Sequence, residues 1–108
     1  MRSWQSLVDQ RAAGHCEARL SERCVGVGQH YHHRKLRSRG GADSAANLVH
    51  ICHQCHTFIH FSPGAKRAKD EGWLVASYSD QCEVPVYRYR KWVLLDDQGG
   101  LSPVVRRD

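Results

Sequence analysis

The sequence predicts a small α+β domain that is stabilised by bound metal, and three observations support this fold class. Two short strand patterns, "QHYHH" and "NLVHIC", enclose a long basic loop that contains Gly40 and Gly41. A segment with helical spacing, "HQCHTFIHF", follows directly. The chain has only 108 residues and five cysteines, and a core of this size often needs a metal or covalent link. We therefore predict a single domain over residues 1–108.

The N-terminal segment predicts a short helix followed by an irregular turn region. Ser3 is a typical helix N-cap, and apolar residues recur at helical spacing to about Ala13 before Gly14 stops the pattern. Residues 14–28 hold two cysteines around a polar segment and end in "VGVG", which is typical of an irregular knuckle.

Further regular structure is predicted after the central helix. "SPG" at residues 62–64 ends that helix, and "AKRAKDEG" can form another one or two turns. "WLVASY" and "YRYRKWVLL" predict two additional short strands, and we expect the last residues, 101–108, to be frayed.

Composition narrows the class of partner. Sixteen Lys and Arg against eleven Asp and Glu give a net charge of +5, which favours a polyanionic partner. The sequence shows neither a membrane-spanning apolar run nor a secretory signal. We therefore expect an intracellular protein with no membrane partner, in which disulfides are disfavoured.

Four cysteines form two pairs, Cys16-x7-Cys24 and Cys52-x2-Cys55, while Cys82 stands apart and is expected to be a free thiol. The close pair lies where a strand passes into a helix, so two thiolates can converge on one ion. The four paired cysteines thus predict a structural zinc site. The alternatives are four ordinary buried cysteines, or a Cys2His2 site that combines Cys52 and Cys55 with histidines.

The histidines predict a second metal site. His56 and His60 are four residues apart and project from one helix face, about 100° away from Cys55, which disfavours the mixed site. If His32 on the first strand faces this helix, three imidazoles form a site with open coordination positions, as a catalytic metal requires. His33 then keeps its lone pair free and is the candidate general base. An accidental surface pair of histidines is the alternative.

The basic loop follows these histidines directly. We expect its cations to contact nucleic-acid phosphates, which carry little sequence information, so low sequence specificity is predicted. The alternative is a solvated charge run. The predicted phosphate-binding residues, which become DNA-binding residues under the resemblance described next, are Arg34, Lys35, Arg37 and Arg39.

Taken in order, "HH", "GG", "NL" and "CHQCHTFIH" resemble the HNH endonuclease family over about residues 14–62. "HHRKLRSRGG" is similar to the bacteriophage branch of that family. The resemblance implies a ββα-metal (His-Me finger) core around one divalent ion, beside a structural zinc knuckle. Residues 63–108 would then be a C-terminal extension with additional short strands. In many members the knuckle has two Cys-x2-Cys pairs, from which the Cys16–Cys24 half departs.

The resemblance also implies roles for individual residues. His33 resembles the catalytic general base, and Asn47 resembles the catalytic-site residue that fixes the hairpin loop. His32, His56 and His60 resemble the ligands of the catalytic metal. Many members have Asp in place of His32, and the softer site here favours Zn²⁺, Ni²⁺, Co²⁺ or Mn²⁺ over Mg²⁺.

The function that this resemblance implies is metal-dependent hydrolysis of DNA phosphodiester bonds. A monomer or weak homodimer would nick duplex DNA, and in a phage it would act with terminase subunits during DNA packaging in the host cytoplasm. One alternative is a non-catalytic zinc-finger DNA-binding or adaptor protein. Another is a purely structural or protein-interaction domain.

Overall fold

The computed structural model describes residues 3–61 and 63–104, and these form a small α+β domain. Within these ranges, no helix is both long and apolar enough to cross a membrane. A 3-10 helix, Arg37–Arg39, lies in the loop between the first two strands. The other elements are α1 (Trp4–Ala12), β1 (His30–His33), β2 (Leu48–Ile51), α2 (His53–His60), α3 (Gly64–Asp70), β3 (Val86–Arg88), β4 (Lys91–Leu95) and β5 (Leu101–Pro103).

Helix α1 has the start that its sequence predicts. The Ser3 hydroxyl accepts a hydrogen bond from the Ser6 backbone N–H, which satisfies one of the free donors of the first turn. The buried side chain of Val8 packs with Ala45 and Leu48, so the helix covers one side of the hairpin.

The β1–β2 hairpin and α2 form the centre of the molecule. The strands are antiparallel, with His32 paired to Val49 and His33 to Leu48. Helix α2 begins at a cysteine cap: the Cys52 sulfur accepts a hydrogen bond from the Cys55 backbone N–H. This part of the predicted fold is confirmed.

The C-terminal half differs from its prediction. "WLVASY" forms no strand, because the Trp73 and Val75 backbone N–H groups donate to the carbonyls of Ala68 and Arg34 and not to a neighbouring strand. "YRYRKWVLL" is interrupted by a turn and contributes to both β3 and β4. Residues 101–103 form β5, paired with β4, so that part of the expected fraying is also wrong; residues 105–108 lie outside the described residues.

The main core lies between the hairpin, α2, the knuckle and the C-terminal sheet. Trp73 is its largest buried side chain, and the cluster to which it belongs draws side chains from all four of these regions. Cys16, Cys52 and Cys55 are fully buried members of the same core. The cysteine pairs therefore lie where the two halves of the chain meet.

Candidate functional site

The four paired cysteines converge in one cluster. The Sγ atoms of Cys16, Cys24, Cys52 and Cys55 all lie within 4.8 Å of one another. The Cys24 and Cys52 sulfurs are 3.7 Å apart. This separation is too long for a disulfide of about 2.05 Å. It matches the edge of about 3.8 Å of a tetrahedron built from zinc–sulfur bonds of about 2.3 Å.

Hydrogen bonding around the sulfurs suits thiolates. The backbone N–H groups of Leu20 and Ser21 donate to the Cys55 sulfur at 3.3 and 3.5 Å. A hydrogen bond with Cys55 lowers the pKa of Cys16 to about 4, and the same contact raises the pKa of Cys55. One thiol of this pair thus ionises readily, and a bound cation would favour loss of the second proton. The donor set fits a structural zinc ion.

Three of the predicted histidines form a separate cluster. One ring nitrogen from each of His32, His56 and His60 lies within 4.8 Å of the others. His32 is buried, His56 is half-buried and His60 is exposed, so the cluster opens to solvent on one side. Cysteines and histidines form two distinct groups, which excludes the mixed Cys2His2 arrangement.

The orientation of His32 fits a metal ligand. Its Nε2 lies 2.8 Å from the Trp73 carbonyl oxygen and donates a hydrogen bond to it. The other ring nitrogen, Nδ1, is then left with its lone pair. Ligating histidines commonly donate their second ring N–H to a carbonyl in this way, which fixes both tautomer and ring orientation.

Burial favours the neutral form of two of the three histidines, His32 and His56. Desolvation lowers the pKa of His32 to about 3 and that of His56 to about 4. Neutral imidazole is the form that binds a metal. At neutral pH both rings are therefore ready to act as ligands.

His33, the predicted base, has an acidic neighbour in the loop. Its Nε2 is 2.7 Å from the Asp43 Oδ1, and the His33 side chain is 22% exposed. This hydrogen bond lowers the pKa of Asp43, so the carboxylate is charged and accepts a hydrogen bond from the Nε2–H group. The free lone pair of His33 is consequently on Nδ1. His33 also lies close enough to His32 for its charge to contribute to the low pKa of His32.

Asn47 spans the loop between β1 and β2. Its buried side-chain amide donates to the carbonyls of Lys35 and Ala42, at 3.0 and 2.9 Å, and its Oδ1 accepts from the Lys35 N–H at 2.7 Å. Gly41 closes the loop so tightly that a Cβ there would lie 1.7 Å from the Lys35 carbonyl oxygen. The loop is therefore held in one conformation beside His33.

Arg34 requires a correction. It was expected to contact DNA, but it is fully buried. It continues the alternation of β1 and points inward like His32. Its guanidinium donates to backbone carbonyls of Gly72, Ala46, Gln81 and Val84, at 2.6 to 3.0 Å. Arg34 thus joins the hairpin to the C-terminal region. Lys35 is half-buried, while Arg37 and Arg39 are exposed on the loop.

Sequence reasoning missed two partners of the site. Asp43 follows Gly40 and Gly41 in the loop, and nothing in the neighbouring sequence distinguishes it from an ordinary polar residue of a turn. The Trp73 carbonyl comes from a segment that was predicted to be a strand, and a backbone acceptor has no sequence signal. Only the presence of an acidic side chain in the loop after His33 could have indicated Asp43.

Comparison with protein families agrees with this geometry. Residues 15–62 match the model of the HNH endonuclease family. The matched range contains both clusters, His33 and Asn47. Curated proteins and solved structures yielded no match. The chain therefore contains a segment, residues 15–62, that matches an HNH endonuclease domain.

Proposed function

We propose that this chain is a metal-dependent endonuclease that hydrolyses DNA phosphodiester bonds. The observation that carries the proposal is the position of His33. One of its ring nitrogens is hydrogen-bonded to Asp43, and in β1 it directly follows His32, which belongs to a cluster of three histidines that opens to solvent. The family match supports DNA as the substrate.

We assign the catalytic divalent ion to His32, His56 and His60. When bound, this ion supplies stabilisation of the negative charge that develops on the phosphate and on the departing 3′ oxygen. Three protein ligands leave coordination positions open, as catalytic sites require. An all-nitrogen ligand set favours Zn²⁺, Ni²⁺, Co²⁺ or Mn²⁺ over Mg²⁺. The four-cysteine cluster is the site for a second, structural zinc ion.

His33 acts as the general base in this proposal. Its Nδ1 removes a proton from the attacking water, and the Asp43 carboxylate stabilises the imidazolium that results. Asn47 acts by positioning, because it holds the loop that carries Asp43. Arg34 is also a positioning residue, because its guanidinium hydrogen bonds hold the hairpin against the C-terminal region.

The exposed loop cations are the proposed contacts to the DNA near the cut. Arg37 and Arg39 are exposed, and Lys35 is half-buried beside them. These side chains would contact phosphates, whose positions vary little with sequence, so we propose low sequence specificity. A chain with one catalytic cluster holds one scissile phosphate. A monomer should therefore nick, with open circles accumulating before linear plasmid at low enzyme concentration.

The test is nicking of supercoiled plasmid in a panel of divalent ions. His33→Ala should lower the nicking rate by about 10²–10⁴-fold, as expected for loss of a general base, while fold and metal content stay intact. Thr57→Ala is the matched control, since Thr57 is exposed on α2 and outside the histidine cluster. Nicking by His33→Ala at the native rate would refute the base assignment. DNA binding without nicking in any metal would favour the non-catalytic adaptor instead.

We further propose a phage role beside the packaging terminase, inside the host cell. This step rests only on the resemblance of "HHRKLRSRGG" to the bacteriophage branch. Purified terminase subunits should bind the chain or change its nicking rate. Absence of both effects would remove this role without affecting the nuclease assignment.

A further inference from the structure

A basic cavity lies apart from the histidine cluster. It measures about 830 Å³ and is bounded by the end of α1, the knuckle, α3 and the turn between β3 and β4. It shares no residue with the histidine cluster or with the loop of residues 34–47. Five arginines line it: Arg11, Arg19, Arg67, Arg88 and Arg90.

Part of this charge is already neutralised. Arg11 and Arg88 pair with the buried Glu17 at 2.8 and 3.0 Å. Arg67 pairs with Glu71, which also lines the cavity, at 2.8 Å.

Two guanidinium groups remain available. Arg19 and Arg90 are both exposed, and among residues 3–61 and 63–104 no carboxylate forms an ion pair with either of them. His15 adds a third exposed polar group to the same wall. The cavity therefore presents unpaired positive charge that no described part of the chain balances.

The turn between β3 and β4 has an unusual sequence for its shape. Arg88 pairs with Lys91 across a two-residue connection in which Tyr89 and Arg90 have φ of 51° and 66°. Such turns favour Asn-Gly, because other side chains are strained at positive φ. All four non-glycine residues with positive φ in the described ranges line this cavity: Ala13, Arg19, Tyr89 and Arg90. Strain of this kind is concentrated at functional sites.

Tyr89 organises the arginines around it. Its hydroxyl donates to the Cys16 carbonyl at 3.1 Å, which ties the turn to the knuckle. The guanidinium carbons of Arg88 and Arg19 lie 4.4 and 5.2 Å from the centre of its ring. The cation–π contact thus holds Arg19, which is not paired with a carboxylate, in place, and less side-chain entropy is lost when it binds an anion.

We propose that this cavity is a second DNA-contact site, which binds the phosphodiester backbone of duplex DNA away from the scissile phosphate. A guanidinium group can donate two parallel hydrogen bonds to the oxygens of one phosphate. Contacts of this kind raise the affinity for DNA without recognising its sequence. The identity of the ligand as DNA rests on the proposed nuclease function. The site itself rests on the unpaired charge, the cation–π contacts and the strained turn.

The first test measures DNA binding without added divalent ion, by anisotropy of a labelled duplex over a range of salt concentrations. Arg19→Ala combined with Arg90→Ala should weaken binding by about 10-fold at low salt and reduce the salt slope by about 1 to 2, as expected for two lost phosphate contacts. Lys91→Ala is the matched control, because Lys91 is exposed, adjacent to Arg90 and outside the cavity. Native affinity and slope in the double variant would overturn the proposal.

A second variant distinguishes a role of the β3–β4 turn in DNA binding from a purely structural role. Arg90→Gly should relieve the positive φ and raise the melting temperature, yet lower DNA affinity. Higher stability with unchanged affinity would mean that the turn has no part in binding. Because neither measurement requires cleavage, weak nicking with intact cavity-dependent binding would contradict only the nuclease proposal. Normal nicking with cavity-independent binding would contradict only this one.

Discussion

The cysteine and histidine clusters share helix α2 but are held together in opposite ways. Cys55 lies on the buried side of α2, whereas His56 and His60 lie towards solvent. The four sulfurs meet where the irregular knuckle, the end of β2 and the start of α2 converge. Cys16 and Cys24, the two cysteines of the knuckle, have little regular structure around them. The histidines stand on a paired strand and a helix, and His32 is oriented by the Trp73 carbonyl.

This difference indicates which cluster depends on its ion for folding. The regular structure of the knuckle, residues 14–28, is limited to one isolated bridge, His15 to Val27, so we expect cross-linking through the cysteines to contribute most to its conformation. The histidine side is supported by Arg34 and Asn47, which together make seven hydrogen bonds to backbone groups. We infer that the cysteine cluster is a folding site and the histidine cluster is a preorganised reaction site.

The largest expected effect is on the cysteine side. Cys52→Ser should unfold or aggregate the chain, because structural zinc contributes about 10–16 kcal/mol in small metal-dependent domains, as much as the whole stability of such a domain. Elemental analysis should find one zinc per native chain in the absence of added metal, and circular dichroism should show loss of structure in the variant. A folded native chain without zinc would remove the distinction between the two clusters.

The next largest effect should follow removal of a buried side chain that supports the histidine cluster. Arg34→Met removes the donor from four buried or half-buried carbonyls, which should cost roughly 3–5 kcal/mol at about 1 kcal/mol for each lost hydrogen bond. Urea denaturation of the zinc-loaded chain measures this loss. Arg39→Met is the control and should stay within about 0.5 kcal/mol, because Arg39 is exposed. Equal effects of the two changes would show that burial of Arg34 contributes nothing.

His56→Ala should affect metal binding and leave the fold intact. Removal of one of three ligands should weaken the second ion by at least about 100-fold, while the cysteine-bound zinc and the melting temperature change little. Competition titration with a metal-sensitive dye measures this affinity. If His56→Ala also released the first zinc, the two clusters would not be independent.

The smallest effect concerns pH. The pKa of His32 is about 3 in the folded chain and about 6.5 when exposed, so only the unfolded chain takes up this proton as pH falls below about 6.5. Stability should therefore decrease on going from pH 7.5 to 6.0, by about 1 kcal/mol from His32. His32→Leu should lose that part of the pH dependence. Urea denaturation at both pH values, without added divalent ion, tests this, and equal pH dependence in both chains would contradict it.

Short-range sequence patterns were sufficient to predict the local elements of this molecule. The spacing of Cys52 and Cys55, the His56-x3-His60 pair and the strand patterns each depend on residues a few positions apart, and helix and strand periodicity is set at that range. For this reason α1, the hairpin, α2 and the family match over residues 15–62 were predicted correctly. The convergence of both clusters was a hypothesis until the fold brought the ligand atoms together.

The directions of the charged and polar side chains, in contrast, depend on the packing of distant segments. Arg34 stands in a run of basic residues, yet its acceptors lie 12 to 50 positions further along the chain. "WLVASY" has the composition of a strand, but the Arg34 carbonyl and the end of α3 take its backbone donors. The cavity around Tyr89 likewise joins four segments that are distant in sequence. Hydrogen bonds and ion pairs between distant segments leave no periodic pattern, because the partner of each group is set by packing and not by its neighbours along the chain.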